Sequence, residues 1–181
     1  MTVIVSQRSK VDRKRLGRAV ASADRVLNFR GRPPARTDKA VTLSAREYGP
    51  DSTLEEQQAM VDRVSVVDAG ILLIREMPVQ SPFSVHLMYD RIETLSQDWD
   101  SFAYVVDLTE AKRPNAQTRA ALKERSLRLK HRISHVAVVV GTNELMRIMA
   151  RLFAYGMGLA SVSIHATSAE AIERARRAME R

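Results

Sequence analysis

The sequence predicts an α/β domain, residues 51–181, preceded by a basic arm, residues 1–50. Three observations lead to this prediction. Apolar runs of strand length alternate with helical segments along the second part of the chain. The positive charge is concentrated in the first part, and Pro33 and Pro34 interrupt the helical pattern between the two parts.

The net charge is divided unevenly along the chain. Residues 1–50 contain 12 Lys and Arg against 4 Asp and Glu, whereas residues 51–181 contain 17 of each. The basic arm therefore accounts for the whole net charge of +8. An acidic partner implied by this charge should contact the basic arm rather than the domain.

Within the basic arm, residues 9–29 have the periodicity of an amphipathic helix. Its apolar stripe consists of Leu16, Ala19, Val20, Ala23 and Leu27. The basic residues that we select as candidates for binding are Arg13, Lys14, Arg15, Arg18 and Arg25. Gly31 and the following proline pair end the helical pattern and predict an extended linker.

The domain begins with a predicted helix and a predicted hairpin. A helix is expected over residues 54–64, because Ser52 and Glu55 have the spacing of a capping box. The runs VSVVD and ILLIR flank Asp68-Ala69-Gly70, a turn signal that predicts a β-hairpin. A helix over residues 84–99 should follow, with an apolar face made of Val85, Met88, Ile92, Leu95 and Trp99.

Three further apolar runs, FAYVVDLT, VAVVVG and SVSIHAT, each precede a helical segment. The helices are predicted over residues 115–130, over residues 143–157 and in the segment SAEAIERARRAM. Continuous apolar strands are typical of strands buried on both faces, and repeated strand–helix alternation predicts parallel pairing. With the hairpin at its start, the sheet should be mixed and mainly parallel.

This order of elements resembles the STAS fold of anti-sigma factor antagonists, and more narrowly its SpoIIAA-like branch, over residues 61–181. The resemblance includes the turn at residues 68–71, the strand end at residues 106–109 and the Ser-Ala-Glu-Ala start of the last helix. It implies a domain that binds a protein partner. Some relatives bind nucleotides or lipids, so a small-ligand or lipid-binding module is an alternative.

Many domains of this family are switched by phosphorylation of a serine near the start of the helix that follows the Val-Asp-Leu strand. Here Ala116 occupies the expected serine position, and the Asp-Ser-Ser/Thr-Gly type of signature is absent. Thr118 and Thr109 are the remaining hydroxyl candidates, of which we select Thr118 as the candidate phosphorylation site.

The resemblance also implies where a protein partner would bind, at the sheet end that precedes this helix. The residues of this candidate surface are Thr109, Lys112, Arg113, Asn115, Thr118, Arg119 and Lys123. They belong to the densest basic stretch of the domain, residues 112–132. The alternative is a solvated helix surface, with Leu122, Ser126 and Leu129 facing inward.

The sequence argues against several kinds of chemistry. It contains no cysteine, which excludes disulfides and thiolate sites, and it lacks the Gly-x-Ser-x-Gly elbow and glycine-rich phosphate loops. His131 and His135 have the spacing of helical metal ligands, but a strand is expected to begin near Ile133. We therefore expect solvent-facing or capping histidines, no metal or cofactor, and a protein that is not an enzyme.

The predicted helix over residues 143–157 is apolar nearly all round. Core packing explains this pattern, and a homodimer or partner interface is the alternative. No apolar run at the start of the sequence has the length of a signal-peptide core or a membrane-spanning helix, so we expect a cytoplasmic protein.

Three kinds of partner suit the basic arm: a protein surface, either an acidic partner or the chain's own domain, a nucleic acid, or an anionic membrane. We rank protein first. Single-stranded nucleic acid is disfavoured because Phe29 and Tyr48 are the only aromatic residues of the arm. A membrane is disfavoured further because the apolar stripe is small and rich in alanine, which gives little insertion energy.

Overall fold

A computed structural model describes residues 42–142, 147–148, 150–151 and 161–180. The strands are β1 Val64–Asp68, β2 Ile71–Arg75, β3 Phe102–Asp107, β4 Ile133–Val139 and β5 Val162–His165. The helices are α1 Leu54–Val61, α2 Pro82–Leu95, α3 Ala116–Leu129 and α4 Ser168–Met179, and a 3₁₀ turn, Lys130–Arg132, precedes β4. Most of the helix predicted over residues 143–157 lies outside the described residues.

The strands form one mixed sheet in the order β1-β2-β3-β4-β5. The first pair is antiparallel and the other three pairs are parallel, which confirms an α/β fold with a mixed, mainly parallel sheet. The predicted hairpin is confirmed as well. Its turn contains Gly70 at φ +73°, a left-handed conformation that glycine adopts without steric cost.

Apolar side chains cover both faces of the central strands, as their continuous apolar runs predict. The first face packs against α2 and its neighbours through Leu72, Ile74, Phe102, Tyr104, Val136 and Val138. The second face packs against α4 through Ile71, Leu73, Ala103, Val105, Ala137 and Val139. Small residues of α4, Ala171 and Ala175, let this helix approach the sheet closely.

The start of α1 differs by one residue from the prediction. The capping box consists of Thr53 and Glu56, not Ser52 and Glu55: the Thr53 hydroxyl accepts from the Glu56 amide at 3.2 Å, and the Glu56 carboxylate accepts from the Thr53 amide at 3.0 Å. Ser52 instead accepts from the Gly49 amide at 3.2 Å. The helix ends at Val61 because β1 begins at residue 64.

The second helix starts earlier and ends earlier than predicted. Ser81 caps it, and Pro82 occupies its first position. An N–H at that position would have no partner within the helix, so proline costs no hydrogen bond there. The predicted face is buried at Val85, Met88 and Ile92. Trp99 lies beyond the helix. Its carbonyl accepts a hydrogen bond from the Arg132 guanidinium at 2.8 Å, and the Ser96 carbonyl accepts another from Arg132.

The prediction of a solvated basic face on α3 is wrong for Arg125. Its exposed fraction is 7%, and it forms ion pairs with Asp90 and Glu93 of α2. The predicted inward residues Leu122 and Leu129 are confirmed as buried. Arg125 shares their side of the helix, since it lies three and four residues from them.

Replacing Arg125 with alanine should lower the free energy of unfolding by about 2 kcal/mol. The loss combines the packing of the arginine stem with its ion pairs; Asp90 and Glu93 are 64% and 42% exposed, so water would solvate them afterwards. Urea unfolding measures the change. Arg128→Ala, which breaks an exposed pair with Glu124, is the control and should change stability by less than about 0.5 kcal/mol.

The last residues of the basic arm, 42–50, pack on the domain, and we call this segment the strap. Tyr48 is only 3% exposed and belongs to the core of the first face. Its hydroxyl accepts from the Ser44 amide at 2.8 Å, its carbonyl accepts from the Ser81 hydroxyl, and the Arg46 guanidinium lies 4.5 Å from its ring centroid. The packed domain therefore includes residues that precede residue 51.

Candidate functional site

The candidate surface lies on the loop after β3 and on the first half of α3. Backbone hydrogen bonds hold this loop across the carboxyl end of the sheet: the Leu108 amide donates to the Val139 carbonyl at 2.8 Å, and the Lys112 amide donates to the Pro78 carbonyl at 3.0 Å. Six of the seven candidate residues are exposed, and the seventh, Thr118, is buried.

Thr109 is held in a turn by Asp107 at the end of β3. Its amide and its hydroxyl both donate to one carboxylate oxygen of Asp107, at 3.0 and 2.7 Å. The other carboxylate oxygen accepts from the Ser168 hydroxyl at 3.3 Å, which links the turn to the start of α4. Thr109 is therefore exposed, but its hydroxyl is engaged within the molecule.

Asn115 caps α3 and contacts the strap. Its side-chain oxygen accepts from the Thr118 amide at 2.8 Å, and its side-chain nitrogen donates to the Glu47 carboxylate at 3.1 Å. A side-chain oxygen at this position accepts from one of the first backbone amides of the helix, which have no partner within the helix. The second bond fixes the strap beside the candidate surface.

Thr118, the candidate phosphorylation site, has no exposed surface. Its hydroxyl donates to the Gln80 carbonyl at 3.4 Å, in the interior between α3 and the segment before α2. A kinase would gain access to this hydroxyl only after the start of α3 had separated from Gln80.

Four cations give the candidate surface its charge: Lys112, Arg113, Arg119 and Lys123. All four side chains are exposed, and within the described part of the chain none of them pairs with a carboxylate. Arg119 donates to the Pro114 carbonyl at 2.9 Å, which positions its guanidinium near the helix start. Exposed cations that form no ion pair within the protein attract carboxylate or phosphate groups.

Glu76 is a partly buried acidic residue that our sequence-based prediction missed. It follows β2, and its carboxylate accepts from the Gln80 side chain. Burial raises the pKa of Glu76 to about 6, against the opposing effects of Gln80 and Arg63. Burial also raises the pKa of Tyr89 to about 12 and that of Tyr104 well above its usual value, and the charge of Glu76 adds to both shifts.

A signal for Glu76 is present in the sequence. Side chains alternate between the faces of a strand, and Leu72 and Ile74 face the first core. The amide of Glu76 donates to the Asp107 carbonyl at 2.9 Å, so strand pairing continues past Arg75. Continuing the alternation by one step places residue 76 inward.

Glu76→Gln should stabilise the protein at pH 7 by up to about 2 kcal/mol. The folded pKa of Glu76 is raised from 4.5 to about 6, so its favourable contribution is present below pH 4.5 and is lost as the pH rises through 6. Glutamine carries no charge and avoids this loss. Urea unfolding at pH 4 and pH 7 should show a stability difference from wild type only at pH 7, whereas exposed Glu55→Gln should show none at either pH.

The histidine prediction was wrong for His135. This residue lies in β4, is 1% exposed, and places Nδ1 2.7 Å from the Ser161 hydroxyl and Nε2 2.8 Å from the Ser163 hydroxyl. It is buried because β4 pairs with strands on both sides. His131 is exposed on the preceding 3₁₀ turn, so these two histidines do not share a helix.

The selected basic residues of the arm lie outside the described residues: Arg13, Lys14, Arg15, Arg18 and Arg25. Within residues 42–142 and 161–180, no group of three or more His, Asp or Glu side chains is arranged to hold a metal ion. Of the helices that the structure describes, none has the length and hydrophobicity needed to cross a bilayer. No protein-family model matches the chain, and no curated protein sequence matches it significantly.

Proposed function

We propose that this chain is a non-enzymatic regulatory or scaffold protein that binds an acidic protein partner through a STAS-like domain, with the basic arm adding an electrostatic contact. The observation that carries the proposal is the group of four exposed cations, Lys112, Arg113, Arg119 and Lys123, without carboxylate partners among the described residues.

The architecture supports the STAS-like part of this proposal. A hairpin opens the sheet, the later strands are parallel, and α2 and α3 connect successive strands. The loop between β3 and α3 is then the region where the family resemblance expects a partner. Fold likeness alone does not specify a function, so the charge of this loop and helix carries the argument for an acidic partner.

The strap supports a joint contribution from the basic arm. Glu47 of the strap accepts from Asn115, which is itself a residue of the candidate surface. The first 41 residues are therefore attached to the domain through a segment that contacts this surface. In this proposal the positive charge of the arm acts on the same acidic partner through screened electrostatics, whose range is about 10 Å at 0.1 M salt.

Affinity purification from the source cells tests this proposal. The baits are the full chain, a chain without residues 1–41, the double variant Lys112→Glu/Arg119→Glu, and the control double variant Lys130→Glu/Arg177→Glu. The control reverses the same number of charges away from the candidate surface. The deletion stops at residue 41 because Tyr48 belongs to the core.

We expect a protein that the full chain retains after nuclease treatment, that the surface double variant loses, and that the control variant keeps. The arm deletion should weaken the retention without abolishing it. Equal retention by all four baits would contradict the proposed surface. Loss of every partner on nuclease treatment would instead identify a nucleic-acid-binding protein, whose affinity should fall steeply with salt.

A further inference from the structure

A continuous chain of hydrogen bonds joins β4 to β5 on the second face of the sheet. His135 of β4 bonds to the Ser161 and Ser163 hydroxyls at 2.7 and 2.8 Å, and Nε2 of His165 bonds to the same Ser163 hydroxyl at 2.8 Å. We call these four residues the histidine–serine cluster. It lies where α4 packs across the two strands.

The hydrogen bonds of the cluster can all form together only if each pair of atoms contains one donor and one acceptor. A hydroxyl donates one proton, so Ser163 accepts from one imidazole and donates to the other when both rings are neutral. A protonated His135 would donate from both nitrogens, and Ser163 would still donate to His165. The hydrogen bonds of the cluster can therefore form whether His135 is neutral or protonated. The surrounding charges determine the free-energy cost of protonating it.

The groups that face His135 are unfavourable to a positive charge. Arg174 approaches from α4 and His165 from β5, while β3 contributes the apolar Ala103 at the paired position. Burial, then the charge of Arg174, then His165 lower the pKa of His135 to about 4. Burial also lowers the pKa of His165, against the opposing charge of Glu170 of α4, whereas among the described residues no carboxylate contributes to the shift at His135.

We propose that the seam between β4, β5 and α4 is a proton-sensitive latch, in which protonation of His135 releases β5 and α4 from the rest of the sheet. A protonated His135 is buried near the positive charge of Arg174. The repulsion between them and the cost of burying the charge both fall when the elements that cover the ring move away. The latch lies on the second face, and the Ser168–Asp107 hydrogen bond at the start of α4 links it to the turn that holds Thr109.

Few fully buried side chains of β5 and α4 themselves oppose release. The four residues of β5 are all partly exposed, and β5 is an edge strand, paired with β4 alone among the described strands. The fully buried residues of α4 are two alanines, Ala171 and Ala175, which bury little apolar area each. β5 lies at the sheet edge and has no fully buried side chain, so it should open at a lower free energy than the central strands do.

The linkage has a definite sign. In the closed latch the pKa of His135 is about 4, and once exposed it returns to its ordinary value of 6.5. The open state therefore binds the proton more tightly. Between pH 6.5 and pH 4 the ratio of open to closed molecules should rise by about tenfold for each unit that the pH falls.

Hydrogen–deuterium exchange of the full chain at pH 7, 6 and 5, corrected for intrinsic exchange rates, tests the latch. We expect exchange in residues 162–179 to rise by about tenfold between pH 6 and pH 5, while exchange in β3 stays unchanged. His135→Gln should remove most of this rise, because glutamine bonds to both serines without titrating; His165, whose pKa burial also lowers, accounts for the remainder. His131→Gln, at an exposed histidine, should leave it intact.

Arg174→Gln provides a second variant if His135→Gln does not fold. Without the neighbouring cation the folded pKa of His135 should move toward 6.5, and the acid-induced rise in exchange should become smaller. NMR titration of the His135 ring in this variant reports that pKa directly. Exchange that rises equally in β3 and in residues 162–179, or a rise that persists undiminished in both variants, would overturn the latch.

Discussion

Replacing Phe102 with alanine should lower the free energy of unfolding by about 3–5 kcal/mol. Phe102 opens β3, the central strand of the sheet, and its side chain is fully buried. Its ring centroid lies 6.2 Å from that of Tyr104, and the Arg132 guanidinium lies 5.5 Å from it. Removal of the ring forfeits its burial and leaves a cavity that neighbouring side chains fill only in part.

Urea unfolding followed by circular dichroism measures this loss. Leu127→Ala is the matched control, because Leu127 is a large apolar residue that is 48% exposed on α3 and should change stability by less than about 0.5 kcal/mol. Equal stability changes in the two variants would show that β3 is not the centre of the core.

The second large effect concerns the strap. Tyr48→Ala should lower the free energy of unfolding by about 3 kcal/mol, since its buried ring is the strap's main contact with the first face. Tyr48→Phe keeps the ring and loses only the hydrogen bond between the hydroxyl and Ser44. It should cost about 1 kcal/mol.

The same pair of variants connects the strap to the proposed function. Neither substitution changes the charge of the protein, so a weaker retention of the partner by Tyr48→Ala alone would arise from the displaced strap. Limited proteolysis within residues 42–50 should be faster in Tyr48→Ala than in Tyr48→Phe. Protection of these residues in both variants would show that other contacts hold the strap.

Much of the fold was predictable because its signals are local. The apolar runs of β2, β3 and β4 bury both of their sides, so they need no alternating pattern to be recognised. The hairpin turn contains a glycine where a left-handed backbone is required, at Gly70. Each of these features is determined by residues that are close together in the sequence, so the sequence pattern alone is enough to predict it.

The parts that escaped prediction depend on contacts distant in sequence. Arg125 is buried because Asp90 and Glu93 lie opposite it on another helix, and His135 is buried because Ser161, just before β5, and Ser163 of β5 satisfy its two ring nitrogens. Composition predicts neither, since charged and polar side chains are usually exposed.

The candidate surface was predicted as a segment, and the structure divides that segment by exposure. Lys112, Arg113, Arg119 and Lys123 are exposed as the binding hypothesis requires, whereas Thr118 is buried beneath them. Helical periodicity separates positions 118 and 122 from 119 and 123 only when the direction of the core is known. That direction is set by α2, on which α3 packs.

Strand order has a consequence for synthesis on the ribosome. Strands occupy the sheet in the order in which they leave the exit tunnel, so each can pair with a neighbour that is already present. The helix α4, by contrast, contacts the part of the sheet that is made first: its Arg176 pairs at 2.7 Å with Asp68, which lies 108 residues earlier in the chain. Until α4 emerges, the nascent sheet presents its second face, with Ile71, Ala103 and Val105, to chaperones.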